Sequence, residues 1–237
     1  MNNETLFIKM KQRLNKLASN DYDSIECWQF TESFNKGQVA WVRRNLHGTN
    51  GPHEGAESSL SRIDDLQKLI VDPLQLTFTD KGLYFQSDVS QWPTNYLRFN
   101  RVDLMVTNDC CDVPKRMTVY LRENADINIY LDDPNIRPDY AWNETFGTIS
   151  GNKLNIYHNN QFALTTGSLI YYRQPRRIEV INCRDPYTNL ISVANVTCEF
   201  NDDLTEILID EGAAILAGDI ESQIQMQRLE KDVEKNN

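Results

Sequence analysis

The sequence is poor in the residues that mark special classes of chain. Ten glycines and eight prolines in 237 residues are too few for a low-complexity or collagen-like polymer. No apolar run approaches the roughly 18 residues that would span a bilayer, so no membrane is expected. Three histidines lie far from any cysteine pair, and no Cys-x-x-Cys occurs. The four clustered ligands of a structural zinc site are therefore missing. Basic residues are scarce as well: 24 Lys and Arg stand against 34 Asp and Glu. Without a dense basic run, sequence-specific reading of nucleic acid is excluded. Met1 is followed by Asn-Asn-Glu and not by a basic-then-apolar stretch, so no secretory leader is expected.

What is present describes an ordinary folded protein, 40% hydrophobic and 24% charged. A chain of this length buries about 70% of its unfolded surface without needing disulfides. The five cysteines are Cys27, Cys110, Cys111, Cys183 and Cys198. Their odd count and irregular spacing suggest buried, reduced side chains in a protein assembled in a cytoplasm. The net charge of −10 is uneven. From Asp202 to Asn237 there are ten acids against three bases. An acidic surface of that kind can still surround DNA, because like charge keeps the duplex from adhering.

Periodicity divides the chain. Phe7, Met10, Leu14 and Leu17 recur at helical spacing, and Asp23 with Glu26 resembles a capping box opening a second helix. Gly37 is expected to interrupt that helix before Trp41 and Val42. Residues 45–60, rich in glycine and serine, read as a flexible loop, and a short helix fits Ser61 to Ile70. After Pro73 the period changes to two. Leu74, Leu76 and Phe78 alternate with polar residues, Asp80-Lys81-Gly82 is a turn, and Leu83-Tyr84-Phe85 returns as a hairpin. Tyr96–Val106, Arg116–Arg122, Ile127–Leu131, Thr148–Tyr157 and Leu169–Tyr172 read as strands. Turns are expected at Asp132–Asn135, Gly147, Gly151–Asn152, Asn159–Asn160 and Gln174–Pro175. A last helix begins at Asp202 or Asp203 and is weakened by Gly212 and Gly218. The expectation is an α+β fold: N-terminal helices over 1–72, a central antiparallel β block over 73–200 (sheet or small sandwich), and a C-terminal helix with an extended acidic tail over 201–237. These form one structural domain with arms.

The chemistry-bearing candidates are weak. Asp132-Asp133 would point to opposite faces of a strand, and with Pro134-Asn135 they read as a β-turn. Asn108, Asp109 and Asp112 lack the glycine and distal glutamate of a calcium loop. His158 reads as a surface or edge residue. No phosphate loop, nucleophile elbow or metalloprotease motif occurs, so neither an enzyme nor a cofactor is expected. Trp28, Trp41, Trp92 and Trp142 read as core residues. The most basic stretch is Tyr171-Tyr172-Arg173-Gln174-Pro175-Arg176-Arg177. It reads either as a strand end with solvated arginines or as an interface, since Tyr and Arg dominate interface hot spots. Ile220, Ile224, Met226 and Leu229 give the acidic tail apolar anchors that a purely solvated run would not need, and so form a second candidate contact.

Three features recur in a familiar order: Trp-Pro-x-x-Tyr-Leu-Arg over 92–98, Leu-Asp-Asp-Pro-Asn over 131–135 with aromatics through Trp142, and Tyr-Tyr-Arg-Gln-Pro over 171–175. A helix reading Leu-Thr-Glu-Ile-Leu-Ile-Asp-Glu-Gly-Ala follows, with Ala-Gly-Asp-Ile-Glu-Ser-Gln after it. From Leu6 to about Gln227 this resembles the head–tail connector, or ring, proteins of short-tailed phages, most of all those of crAss-like phages. The resemblance implies a virion structural protein assembled in the host cytoplasm. It implies a homo-oligomeric ring, commonly twelvefold, between portal and tail proteins, which extends the channel for viral DNA. The family's functional residues are surfaces, so no single site carries over. The rival expectation is a carbohydrate-binding or adhesin-like β module, favoured by ten Tyr and four Trp.

Overall fold

The computed structural model describes residues 1–14, 25–47, 65–108, 111–187 and 189–219. The fold is α+β. Its order is helix α1 (Asn3–Leu14), helix α2 (Cys27–His47), strands β1 (Leu74–Leu76), β2 (Phe78–Asp80), β3 (Tyr84–Ser87), β4 (Tyr96–Asn108) and β5 (Cys111–Leu121), helix α3 (Ile127–Asp132), strands β6 (Glu144–Ser150), β7 (Lys153–Tyr157) and β8 (Ala163–Arg173), and helix α4 (Asp202–Asp219). The chain forms two units. One joins Met1–Lys68 to Pro175–Asn237, and the other is the continuous segment Leu69–Gln174. The β block therefore ends at Gln174 and not near 200, and residues 175–200 belong with the helices.

The strand unit is one eight-stranded sheet in the order β1-β8-β4-β5-β6-β7-β3-β2. Its two outer strands, β1 and β2, are consecutive in the chain, with Thr77 alone between them. A sheet whose edges are one residue apart must curl, and this one is a nearly closed barrel. Curling brings Phe78 against β8, where a Cβ on Gly167 would stand 2.6 Å from the Phe78 ring. Alternation fills the interior. Val102, Leu104 and Val106 of β4, Met117 and Val119 of β5, and Leu154 and Ile156 of β7 all point inward and are buried. All strand pairs are antiparallel except β5 with β6. A parallel pair needs a crossover of a dozen residues or more, and the segment between Leu121 and Glu144 supplies it.

That crossover contains a correction. Ile127–Leu131 is not a strand but most of α3. A short apolar run does not declare its own period, and here Tyr130 packs on Phe146, ring centres 5.5 Å apart. Gly147 is not a turn either. It lies inside β6, where a side chain would meet the Asn155 carbonyl at 3.0 Å and Val119 at 3.3 Å. The turns at Gly82, Gly151 and Asn159–Asn160 stand where expected, all with positive φ. Thr148–Tyr157 is accordingly two strands folded at Gly151–Asn152. Strands β4 and β5 run further than expected and stay paired to Asn108 and Cys111.

In the helical unit α2 does not break at Gly37, and α4 runs through Gly212 and Gly218 to Asp219. Gly37 and Gly212 are where the helices touch. A Cβ on Gly37 would lie 3.1 Å from the Gly212 nitrogen, and one on Gly212 would lie 3.1 Å from Phe34 Cα. Leu6, Met10, Leu14, Phe30, Phe34, Leu208, Ile209 and Ala213 are buried in this unit. Three acids of α4 are matched from the other helices. Lys9 pairs with Glu206, Arg13 Nε lies 2.7 Å from Asp210 Oδ1, and Arg44 grips Glu211 through two bonds of 2.6 and 3.2 Å. Glu206, Asp210 and Glu211 are thus paired within the chain. Asp23, Leu17, most of the 45–60 loop and the start of the 61–70 helix lie outside the described residues.

Candidate interaction surface

Residues 178–200 carry the most conspicuous surface. They fold back on themselves through a ladder of single backbone bonds: Glu179 with Val196 in both directions, Asn182 N–H to the Ser192 carbonyl at 2.9 Å, Ser192 N–H to Cys183, and Asp185 N–H to Leu190. Asn182 and Asn189 take the positive φ that the bends require, 63° and 57°. Asp185 Oδ1 accepts the Tyr187 N–H at 2.8 Å, the local bond that makes an Asx turn. The result is a prong rather than a floppy loop.

Its base is clamped to the helices. Buried Asn35 of α2 donates to the Ile178 carbonyl (3.2 Å) and accepts the Ile178 N–H (2.8 Å). Buried Asn3 of α1 donates to the carbonyls of Glu179 (2.7 Å) and Val196 (3.1 Å). A disulfide joins Cys183 to Cys27, the first residue of α2, with Cα atoms 5.8 Å apart. This corrects the reading of all five cysteines as reduced. A pairing across 156 residues leaves no trace in local spacing, because only the fold brings the two together. Cys198 is a free, buried thiol, and burial pushes its pKa up.

The outer part of the prong is apolar and exposed. Tyr187, Leu190 and Val193 are 78%, 71% and 88% accessible, and Ile181 and Ile191 are exposed beside them. Tyr187 stands edge-on to Trp28, ring centres 6.2 Å apart. Between prong and α2 lies a groove of about 390 Å³, whose lining includes Trp28, Glu32, Arg177, Glu179, Asp185 and Tyr187. The sequence did hold a signal for this surface: no charged residue occurs from Pro186 to Cys198, in a chain that is one-quarter charged.

The expected interface segment is divided. Tyr171 is a core residue of the barrel, its hydroxyl donating to Asn95 Oδ1 at 2.8 Å, and it offers no surface. Burial also raises its phenol pKa. Tyr172 is half-buried and pairs with Arg98, and Arg173 donates to the Gln174 carbonyl. Arg176 and Arg177 are exposed; Arg177 lines the groove and pairs with Glu32 at 3.0 Å. Ile220, Ile224, Met226 and Leu229 lie outside the described residues.

A second exposed surface sits on the β5–β6 crossover. Trp142 is 78% exposed and not a core residue. Its turn is fixed by Asp139 Oδ1, which accepts N–H groups from Ala141 (2.6 Å) and Trp142 (3.2 Å). Tyr120, Leu121, Ile129 and Ile136 are exposed on the same crossover and the strand end that feeds it. Arg122 stands over the rings of both Tyr120 and Tyr130. Trp41 is buried, and Trp28 and Trp92 are half-buried.

His158 is buried, not at a surface. Its Nδ1 accepts the Asn160 N–H at 3.1 Å, Nε2 faces Asp80 Oδ1 at 3.3 Å, and the ring stacks on Phe85. These contacts occupy both nitrogens in shaping the turn after β7. Asp133 does the same for its own turn, with Oδ1 accepting the Asn135 N–H at 2.8 Å. Among the described residues no three His, Cys, Asp or Glu side chains converge as metal ligands would, and no helix is long and apolar enough to cross a membrane. The chain matches no protein-family model and no curated protein.

Proposed function

We propose that this chain is a structural subunit of a phage virion, one copy of a homo-oligomeric ring at the junction of portal and tail that extends the channel for viral DNA. The observation that carries the reading is the ordered run of motifs at 92–98, 131–135, 171–175 and 204–213, which resembles the connectors of short-tailed phages. The clamped prong, uncharged from Pro186 to Cys198, supports it, because a large exposed apolar surface on an ordered scaffold marks a contact with another macromolecule. The acidic C-terminal segment suits a conduit that surrounds DNA without gripping it. The decisive experiment is cryo-electron microscopy of purified particles, with mass spectrometry of their proteins. The chain is expected in the portal–tail region in ring copy number. Its absence from particles would end the reading.

A second reading, a carbohydrate-binding or adhesin-like module, is favoured by Trp142 alone, an exposed indole on a fixed turn. Quenching of tryptophan fluorescence by oligosaccharides, abolished in Trp142→Ala, would support it over the first.

A further inference from the structure

The prong meets α2 at two levels. At its base Asn35 holds both backbone polar atoms of Ile178, and Arg177 pairs with Glu32. Further out, Cys183 is bonded to Cys27, and Tyr187 stands edge-on to Trp28. The groove is lined by residues of both levels, Asn35 and Ile178 among them as well as Cys183 and Tyr187. The backbone bonds that shape the prong lie within it, from Glu179–Val196 through Asn182–Ser192 to Asp185–Leu190. Its fold is therefore its own, whereas its seat against α2 rests in part on one covalent bond. The rest of the chain does not call for that bond. The helical unit has a buried core of its own, and a chain of this length needs no disulfide to stay folded.

We propose that Cys27 and Cys183 form a reversible thiol–disulfide switch that closes the prong on α2 when oxidised and lets it swing out from its base when reduced. The switch does not rest on the ring reading and holds whatever the chain assembles with. The two sulfurs are unequal. Cys183 is 5% exposed, whereas Cys27 is only half-buried. Cys27 is also the first residue of α2, and a helix N-terminus favours the thiolate. The neighbouring carboxylate is engaged elsewhere, since Glu26 Oε2 accepts the Trp28 indole N–H at 2.6 Å. The reaction partner is a low-molecular-weight disulfide of the glutathione class. The Cys27 thiolate attacks one of its sulfurs and expels the other as a thiolate, leaving a mixed disulfide on Cys27. The Cys183 thiolate then attacks Cys27 Sγ and expels the second small thiolate. Two protein thiols are oxidised, one small disulfide is reduced, and the two protons pass to the departing thiolates. Reduction runs these steps backwards and enters at the more accessible sulfur, that of Cys27.

The test equilibrates the full chain in mixtures of reduced and oxidised glutathione, traps free thiols by alkylation, and reads the Cys27 and Cys183 peptides by mass spectrometry. Both should pass together from unlabelled to fully labelled as reduced glutathione comes into excess, and return when the ratio is reversed. The circular dichroism spectrum should not change. The seat of the prong is read by NMR from the Trp28 indole N–H, assigned with Trp28→Phe, because the Tyr187 ring beside it shifts that resonance. Reduction should move it towards its position in Tyr187→Ala, a change at a side chain 78% exposed. Cys27→Ser and Cys183→Ser should each hold it there in either buffer, and reduction of the unmodified chain carries the test should either variant fail to fold. A bond that survives excess glutathione and yields only on unfolding would overturn the switch, since such resistance marks a structural disulfide. A bond that opens while the Trp28 resonance stays put would overturn it too, as would loss of the folded spectrum on reduction.

Discussion

Asp80 is well exposed yet its carboxyl titrates below the usual range, chiefly because it accepts the Gly82 N–H and secondarily because His158 lies beside it. A depressed folded-state pKa contributes stability that is complete above the unfolded value and is lost as pH falls through the folded one. Asp80→Asn should therefore lower the melting temperature slightly at neutral pH, and the gap from the unmodified chain should close on acidification below the ordinary carboxylate range. A gap independent of pH would show that the Asp80 charge has no part in holding the turn. Residue-scale features of this kind were half legible. The Asp80-Lys81-Gly82 and Asn159-Asn160 turns announce themselves by composition, because only such residues take positive φ at little cost. The burial of His158 does not, since it depends on Phe85 and Asp80, roughly 75 residues away in sequence. Trp142 misled for the opposite reason: a residue type that is usually buried sits here exposed on a turn.

Among the elements, long periodic segments were legible and short ones were not. Helices α1, α2 and α4 and strand β4 follow their apolar periods, whereas the six residues of α3 could be read either way. Glycine deceived most. In isolation a helical glycine costs about 1 kcal/mol relative to alanine, which argues for a break at Gly37 and a weakened helix at Gly212. The structure uses that absence of side chain to bring α2 and α4 together. Gly37→Val should therefore destabilise the protein by about 1–3 kcal/mol, an overpacking cost, despite removing a poor helix former. Urea unfolding measures it, and an unchanged or raised midpoint would mean the helices do not depend on that contact. The prong was missed altogether, because its backbone makes isolated bridges rather than a periodic strand pair. Its staples, Asn3, Asn35 and the Cys27–Cys183 bond, all join residues distant in sequence.

At the scale of the whole molecule the chain interrupts one unit with another. The helical unit is assembled from both ends of the sequence, while the barrel is one continuous stretch, Leu69–Gln174. Sequence reading found the change of period near Pro73 but carried the β block on to 200. Residues 175–200 are turn-rich and uncharged over half their length, which reads as β until their partners, Asn3 and Asn35 of the helices, are known. A continuous segment of roughly 100 residues with its own core is within the usual range of an autonomous domain. Its core residues, from Leu76 to Tyr171, all come from that segment, and so do all eight strands. Nearly closed curvature leaves only the three-residue strands β1 and β2 as edges, too short to recruit a neighbouring chain. A fragment spanning 69–174 should therefore fold alone, with a β-type circular dichroism spectrum, dispersed amide resonances and one cooperative thermal transition. The complementary ends, 1–68 and 175–237, have to find each other, so neither expressed alone should show such a transition. A barrel fragment that stays unfolded would mean that the helical unit is part of its folding nucleus, and the chain would then be one cooperative body despite its two cores.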